Sequence, residues 1–197
     1  MSALKASRLE KAAMTVIEAN GPEATGKTRS RFAAALFVRG QSEARRKIEE
    51  IAPSHVISIT LPGHSYLGPR GIPADRQLFV SFDDVEDETA PNAPDTAMVK
   101  RILEFARAVP EDGKLLVHGL LGVRRSAAVA LGLLADRLPP VEAAQALAPL
   151  CSQPPDPHPL VLKLFDEVLD LDGALGEAAT MRFVQGRGAI LRRATGT

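Results

Sequence analysis

Short runs of β-branched and aromatic residues alternate along the chain with longer segments whose apolar positions recur at helical spacing. That alternation predicts a parallel or mostly parallel sheet covered by helices. The clearest strands are residues 55–60, 78–82 and 114–118, each short and closed by turn residues, as interior strands are. Residues 42–52 place Ala44, Ile48 and Ile51 on one side, and residues 96–108 do the same with Met98, Ile102, Leu103 and Ala106, so both read as amphipathic helices lying on the sheet. Residues 126–138 are apolar nearly all round, which predicts a buried helix. Pro139 and Pro140 halt it, residues 141–150 form another, and a proline-rich break at 152–159 precedes a last apolar-periodic stretch at 160–171. The last two dozen residues read as a weakly determined tail.

Length and composition bound this picture. With 197 residues and 45% hydrophobic content, the chain is long enough for one domain with a proper core and short for two. The division expected is an N-terminal extension over 1–31, a domain over 32–185 and a C-terminal tail over 186–197. Lysine and arginine total 24 against 24 aspartate and glutamate, so no overall field recruits nucleic acid or an anionic membrane, and any anion recognition is local. The single cysteine, Cys151, excludes an internal disulfide framework and suits a reducing compartment. No signal peptide and no uncharged stretch of transmembrane length is evident, so the expectation is a cytoplasmic protein.

Chemistry concentrates between residues 114 and 138, which read strand, tight glycine-containing loop and buried helix, with Arg125 and Ser126 opening the helix. Such a junction suits an anion. Unpaired N–H groups at the helix start meet the positive end of the dipole, and successive loop amides form a concave nest for phosphate. An arginine at the end of the loop adds a planar fork that grips two phosphate oxygens.

The run Val117, His118, Gly119, Leu120, Leu121, Gly122, Val123, Arg124, Arg125, Ser126 resembles the signature V-H-C-x-x-G-x-x-R-S of cysteine-dependent tyrosine and dual-specificity phosphatases, and departs from it only at the cysteine. In that family the cysteine attacks phosphorus as a thiolate and forms a phosphoenzyme. Gly119 has no side chain to attack with. The resemblance spans roughly residues 32–185 and resembles small bacterial members of the class. It implies Arg125 as phosphate clamp, Gly119, Leu120, Leu121, Gly122, Val123 and Arg124 as the source of cradling amides, Ser126 as the hydroxyl that assists phosphoenzyme breakdown, and His118 as the loop organiser. Asp84 falls where the family's general acid stands, with Asp83 a close rival, and Pro157, His158, Pro159 and Leu160 resemble its Pro-Asn segment with histidine for asparagine.

Two accounts of Gly119 stay open. An inherited glycine makes a pseudophosphatase that binds a phosphorylated protein or a small phosphoester; a glycine put in place of cysteine makes an inactivated form of a working phosphatase. The resemblance implies no cofactor.

A rival phosphate motif stands near the N-terminus. Gly21, Pro22, Glu23, Ala24, Thr25, Gly26, Lys27 and Thr28 satisfy the nucleotide-binding G-x-x-x-x-G-K-T pattern, with Gly26, Lys27 and Thr28 as the nucleotide-contacting residues. It requires a helix from Thr28 onward, whereas the phosphatase resemblance requires residues 32–38 to be the first strand. Cys151 is most simply an incidental thiol and His158 a capping or packing residue, and no spacing of His, Asp or Glu resembles a metal site.

Overall fold

The structure, a computed structural model, describes residues 31–64, 66 and 68–184. The motif at residues 21–28 and the tail at 186–197 lie outside the described residues.

Four strands, β1 (Ala35–Gly40), β2 (His55–Thr60), β3 (Gln77–Ser81) and β4 (Lys114–Gly119), pair entirely in parallel in the order β1-β4-β2-β3. The sheet is therefore fully parallel. Their carboxyl ends share one edge, with β4 between β1 and β2, so the loop that follows β4 opens among the ends of its neighbours.

The first strand begins three residues later than expected. Phe32 is fully buried, but its N–H donates to Asp136 Oδ2 at 2.9 Å instead of joining the sheet. Asp136 also receives the Arg107 guanidinium through two nitrogens, and the Arg137 guanidinium lies 5.3 Å from the Phe32 ring centroid. Since residues 35–40 are strand, the helix that the nucleotide motif requires does not run through them.

The expected helix over 42–52 is two short pieces, α1 (Gln41–Arg46) and α2 (Ile48–Ile51), parted at Lys47. The break lets Ala44 and Ile51 both pack with Val56 and Leu116 in a small core under this face. Helix α3 (Thr96–Arg107) is capped by the Asp95 carboxylate, which accepts from Met98 N at 2.7 Å, and buries Met98, Ile102, Leu103 and Ala106 as its periodicity predicts.

Every residue of α4 (Arg125–Ala135) is buried. It packs beneath α5 (Pro140–Leu147) and α6 (Pro159–Leu169), and Gly132 makes the last contact close: a Cβ there would stand 2.2 Å from the Phe165 ring. Truncating Leu131 or Leu133 in this core costs about 2–5 kcal/mol. Residues 174–184 are not loose tail. They form α7 (Ala174–Ala179) and a wide helical turn, Thr180–Val184, and Leu175, Ala178 and Ala179 are buried. The Asp166 carboxylate fixes that corner by accepting from the N–H groups of Leu175 and Gly176 at 3.3 and 3.0 Å. Among the described residues, no helix is long and apolar enough to cross a membrane.

Candidate functional site

The loop between β4 and α4 is held from outside by its carbonyls. Leu120 O accepts from Gln41 N at 3.2 Å and Val123 O from Asp156 N at 3.0 Å, while Arg124 O accepts within the following helix, from Ala128 N at 2.9 Å. Gly122 makes the turn, with φ +78°, and a Cβ there would lie 2.5 Å from Arg39 C and Gly40 N. Glycine is required at 122 on both counts. The side chains of Leu120 and Leu121 are exposed.

Gly119 is different. Its φ is ordinary for any residue, and the nearest atoms to a Cβ built on it are Ser126 Oγ at 3.5 Å and Ile59 atoms at 3.7 Å. The position has room for a side chain that the sequence does not supply.

Arg125 opens α4 and is only 8% exposed. Its Nη1 donates to Phe82 O at 2.7 Å and Thr60 O at 3.1 Å, at the carboxyl ends of β3 and β2, and its guanidinium lies 5.5 Å from the Phe82 ring centroid. Two carbonyls thus aim the fork and leave Nε and Nη2 without an acceptor among the described residues. Burial pulls its pKa below the usual arginine range, opposed by the charges of Asp84 and Asp83.

Beside Arg125 a cavity of about 150 Å³ is lined by Thr60, His64, Tyr66, His118 and Leu120. His118 is buried, with Nε2 2.8 Å from Ser58 Oγ and its ring edge-on to Tyr66 at 5.4 Å. Its Nδ1 and the Tyr66 hydroxyl are buried with no hydrogen-bond partner among the described residues. Burial, helped by the Arg45 charge, pushes the His118 pKa down to about 4, so the imidazole is neutral at pH 7.

Asp84 does not border this cavity. Its Oδ1 accepts from Arg124 Nε at 3.1 Å and stands 3.1 Å from His158 Nε2, at an angle that makes no hydrogen bond. Arg124 also reaches Glu86 Oε1 at 2.9 Å and Asp156 Oδ2 at 3.3 Å. One guanidinium of the loop therefore gathers three carboxylates, tying residues 84–86 and the segment before α6 to the phosphate-loop candidate. The loop motif points only to the backbone amide of Arg124, so this side-chain role is not visible in it. Asp83 is turned elsewhere: its N–H donates to Asn92 O, and its carboxylate accepts from Asn92 Nδ2, closing the loop over 83–92.

His158 is the N-cap of α6, fully buried, its Nδ1 accepting from Val161 N at 3.5 Å. Burial lowers its pKa, with the Asp84 charge opposing. Cys151 lies off the site beside Val38, and burial raises its thiol to about 11. Among the described residues, no group of three or more His, Cys, Asp or Glu side chains is placed to hold a metal ion. Tyr66 and Ser58, the neighbours of His118, were not foreseen, since neither carries a motif.

No protein-family model and no curated protein matches the sequence. Solved structures do match. The human tyrosine phosphatase-like serine/threonine/tyrosine-interacting protein superposes with a TM-score of 0.55 at 20% identity, over 70% of this chain and 93% of that one. The PTP-2 phosphatase of Cydia pomonella gives 0.53 at 19%, over 70% and 88%. Human DUSP28 in a point-substituted form gives 0.52 at 22%, over 73% and 97%. At these identities the likeness speaks to architecture. The parallel sheet, the buried helix after β4 and the loop between them together give this chain the fold of the tyrosine and dual-specificity phosphatases.

Proposed function

We propose that this phosphatase-like domain recognises phosphate groups through residues 118–126 and, with glycine at 119, does not hydrolyse them. The observation that carries the reading is the placement of Arg125: a buried guanidinium, aimed by the Thr60 and Phe82 carbonyls, with two nitrogens uncommitted beside a small cavity. With the carbonyls of Leu120 and Val123 engaged by neighbouring segments, the loop amides are the groups left to face an anion. The helix start of α4 adds its partial positive charge.

Silence follows from chemistry. Hydrolysis in this class splits into attack on phosphorus and release of a phosphoenzyme, and the first step needs a nucleophile where Gly119 has only hydrogen. Ser126 Oγ is the nearest hydroxyl to that point, and neutral His118 is bonded to Ser58 instead, so no base activates it. The ligand class we assign is a phosphorylated protein or a small phosphoester, and the single cysteine accords with a cytoplasmic setting.

Calorimetric titration of the full chain with inorganic phosphate and with a phosphotyrosine peptide tests the reading. Both are expected to bind, and Arg125→Ala is expected to weaken them at least tenfold, since a charge-assisted bond contributes about 1.5–3 kcal/mol. Equal binding by the two chains, or no binding by either, would sink the proposal. The room for a side chain at 119 favours a second reading, that the scaffold is a working phosphatase lacking only its cysteine, and its test is argued in the Discussion.

A further inference from the structure

A groove of about 1030 Å³ runs along α6 and α7, away from Arg125. Its floor is apolar, with Leu162, Met181 and Phe183, and Met181 is 55% exposed. Its walls are acidic, with Glu167, Asp170, Asp172 and Glu177. Lys163 is already drawn to Glu88 and Glu167, and Arg124 to Asp84, Glu86 and Asp156. Asp170, Asp172 and Glu177 meet no cation among the described residues. Unneutralised carboxylates around an apolar floor call for a segment that is both basic and apolar.

The sequence holds one such segment next to the groove. Phe183 lines the groove, and residues 185–197 follow directly, carrying Arg187, Arg192 and Arg193 around Ile190 and Leu191, with no aspartate or glutamate. In a chain of zero net charge, such a run of one sign is a local choice. Thirteen residues reach at most about 45 Å when extended, enough to turn back along two helices. Being tethered, the segment sees the groove at roughly millimolar effective concentration, so a weak intrinsic affinity suffices.

We propose that residues 185–197 of this chain are the occupant of the α6–α7 groove, their arginines facing Asp170, Asp172 and Glu177 and their Ile190 and Leu191 covering Met181 and Phe183. The inner end of the groove is formed by Glu86, Arg124 and Asp156, so the seated segment abuts the cluster that holds Asp84.

The test uses the full chain. Amide hydrogen exchange over residues 159–184 is compared between the unaltered chain and the double variant Arg192→Glu, Arg193→Glu, in which exchange is expected to be at least fivefold faster. A peptide of sequence 185–197 is then added in trans; it is expected to bind the double variant at least tenfold tighter than the unaltered chain. Combining Asp172→Asn and Glu177→Gln with the double variant is expected to abolish that binding, and 0.5 M salt is expected to speed exchange in the unaltered chain by screening the same contacts. Unchanged exchange overturns the proposal. So does equal peptide binding by both chains, which makes the groove an open seat for a basic partner. Sedimentation showing that protection of 159–184 appears only with dimer formation also overturns it, in favour of a second copy.

Discussion

A Cβ placed on Gly119 would stand 3.5 Å from Ser126 Oγ, in ordinary van der Waals contact, on a backbone that any residue adopts. The loop thus has room for a Cβ at this position. Gly119→Cys is therefore expected to fold with a melting temperature within a few degrees of the parent. If the rest of the scaffold is competent, it will hydrolyse an aryl phosphate that the parent leaves untouched, with activity lost again in Gly119→Cys, Arg125→Ala. A folded but inert Gly119→Cys chain would locate a second defect in Asp84 or the loop, and would remove the working-phosphatase reading.

Gly122 is the control for that argument. It combines φ +78° with a would-be Cβ 2.5 Å from the backbone of Arg39 and Gly40. Gly122→Ala is expected to lower stability by more than about 2 kcal/mol, because neither β1 nor the turn can give way cheaply. Gly119→Ala, by contrast, is expected to be neutral or stabilising by up to about 1 kcal/mol, since it only restricts the unfolded chain. Denaturant unfolding of the two variants side by side checks both, and equal losses would contradict the geometry.

What was readable beforehand follows from how local each signal is. The strand at 55–60 is a β-branched run buried on both faces, and it appears at the expected residues; α3 follows its apolar spacing in the same way. Strand β1 starts three residues late because the Phe32 N–H is taken by Asp136, 104 residues away, a contact that no local window contains. The division of α1 from α2 and the structured 174–184 segment likewise depend on packing partners elsewhere in the chain. The placement of the loop between β4 and α4, with Arg125 at the helix start, was legible because the motif is contiguous. The gathering of Asp84, Glu86 and Asp156 on Arg124 was not, because those carboxylates come from segments 32 to 40 residues away.

That cluster makes its own prediction. Arg124 is partly exposed, so each pair is worth only a fraction of a kcal/mol, but three carboxylates share one cation and repel one another without it. Arg124→Met is expected to cost about 1 kcal/mol at low salt and distinctly less in 1 M salt, read by denaturant midpoints. The loop tie from Val123 O to Asp156 N should weaken with it, visible as faster amide exchange at Asp156. A salt-independent loss would mean that packing of the side chain, and not its charge, is what matters.

Cys151 is expected to be inert in the folded chain. Its burial raises the thiol to about 11, so the thiolate fraction at pH 7.5 falls well below that of a free cysteine. Reaction with a disulfide reagent is expected to be at least a hundredfold slower than for the unfolded chain and to follow the unfolding transition. Rapid labelling of the native protein would reopen Cys151 as a displaced nucleophile.

The buried histidine sets the pH dependence of stability. His118 titrates near 4 in the folded chain and near its ordinary 6.5 when unfolded, so between these values the unfolded state holds more protons. Stability is complete above about pH 6.5 and is lost as pH falls towards 4, by up to about 3 kcal/mol for this group. His158, also lowered by burial, adds loss of the same sign. Unfolding free energies measured from pH 7 to 4.5 should fall steeply in the parent and less steeply in His118→Asn, whatever that variant's stability at pH 7. The slope is the diagnostic, because a change in packing alone shifts the whole curve, whereas removing the proton site flattens it. An unchanged slope would mean that His118 holds as many protons folded as unfolded over this range, so that burial does not lower its pKa in the fold.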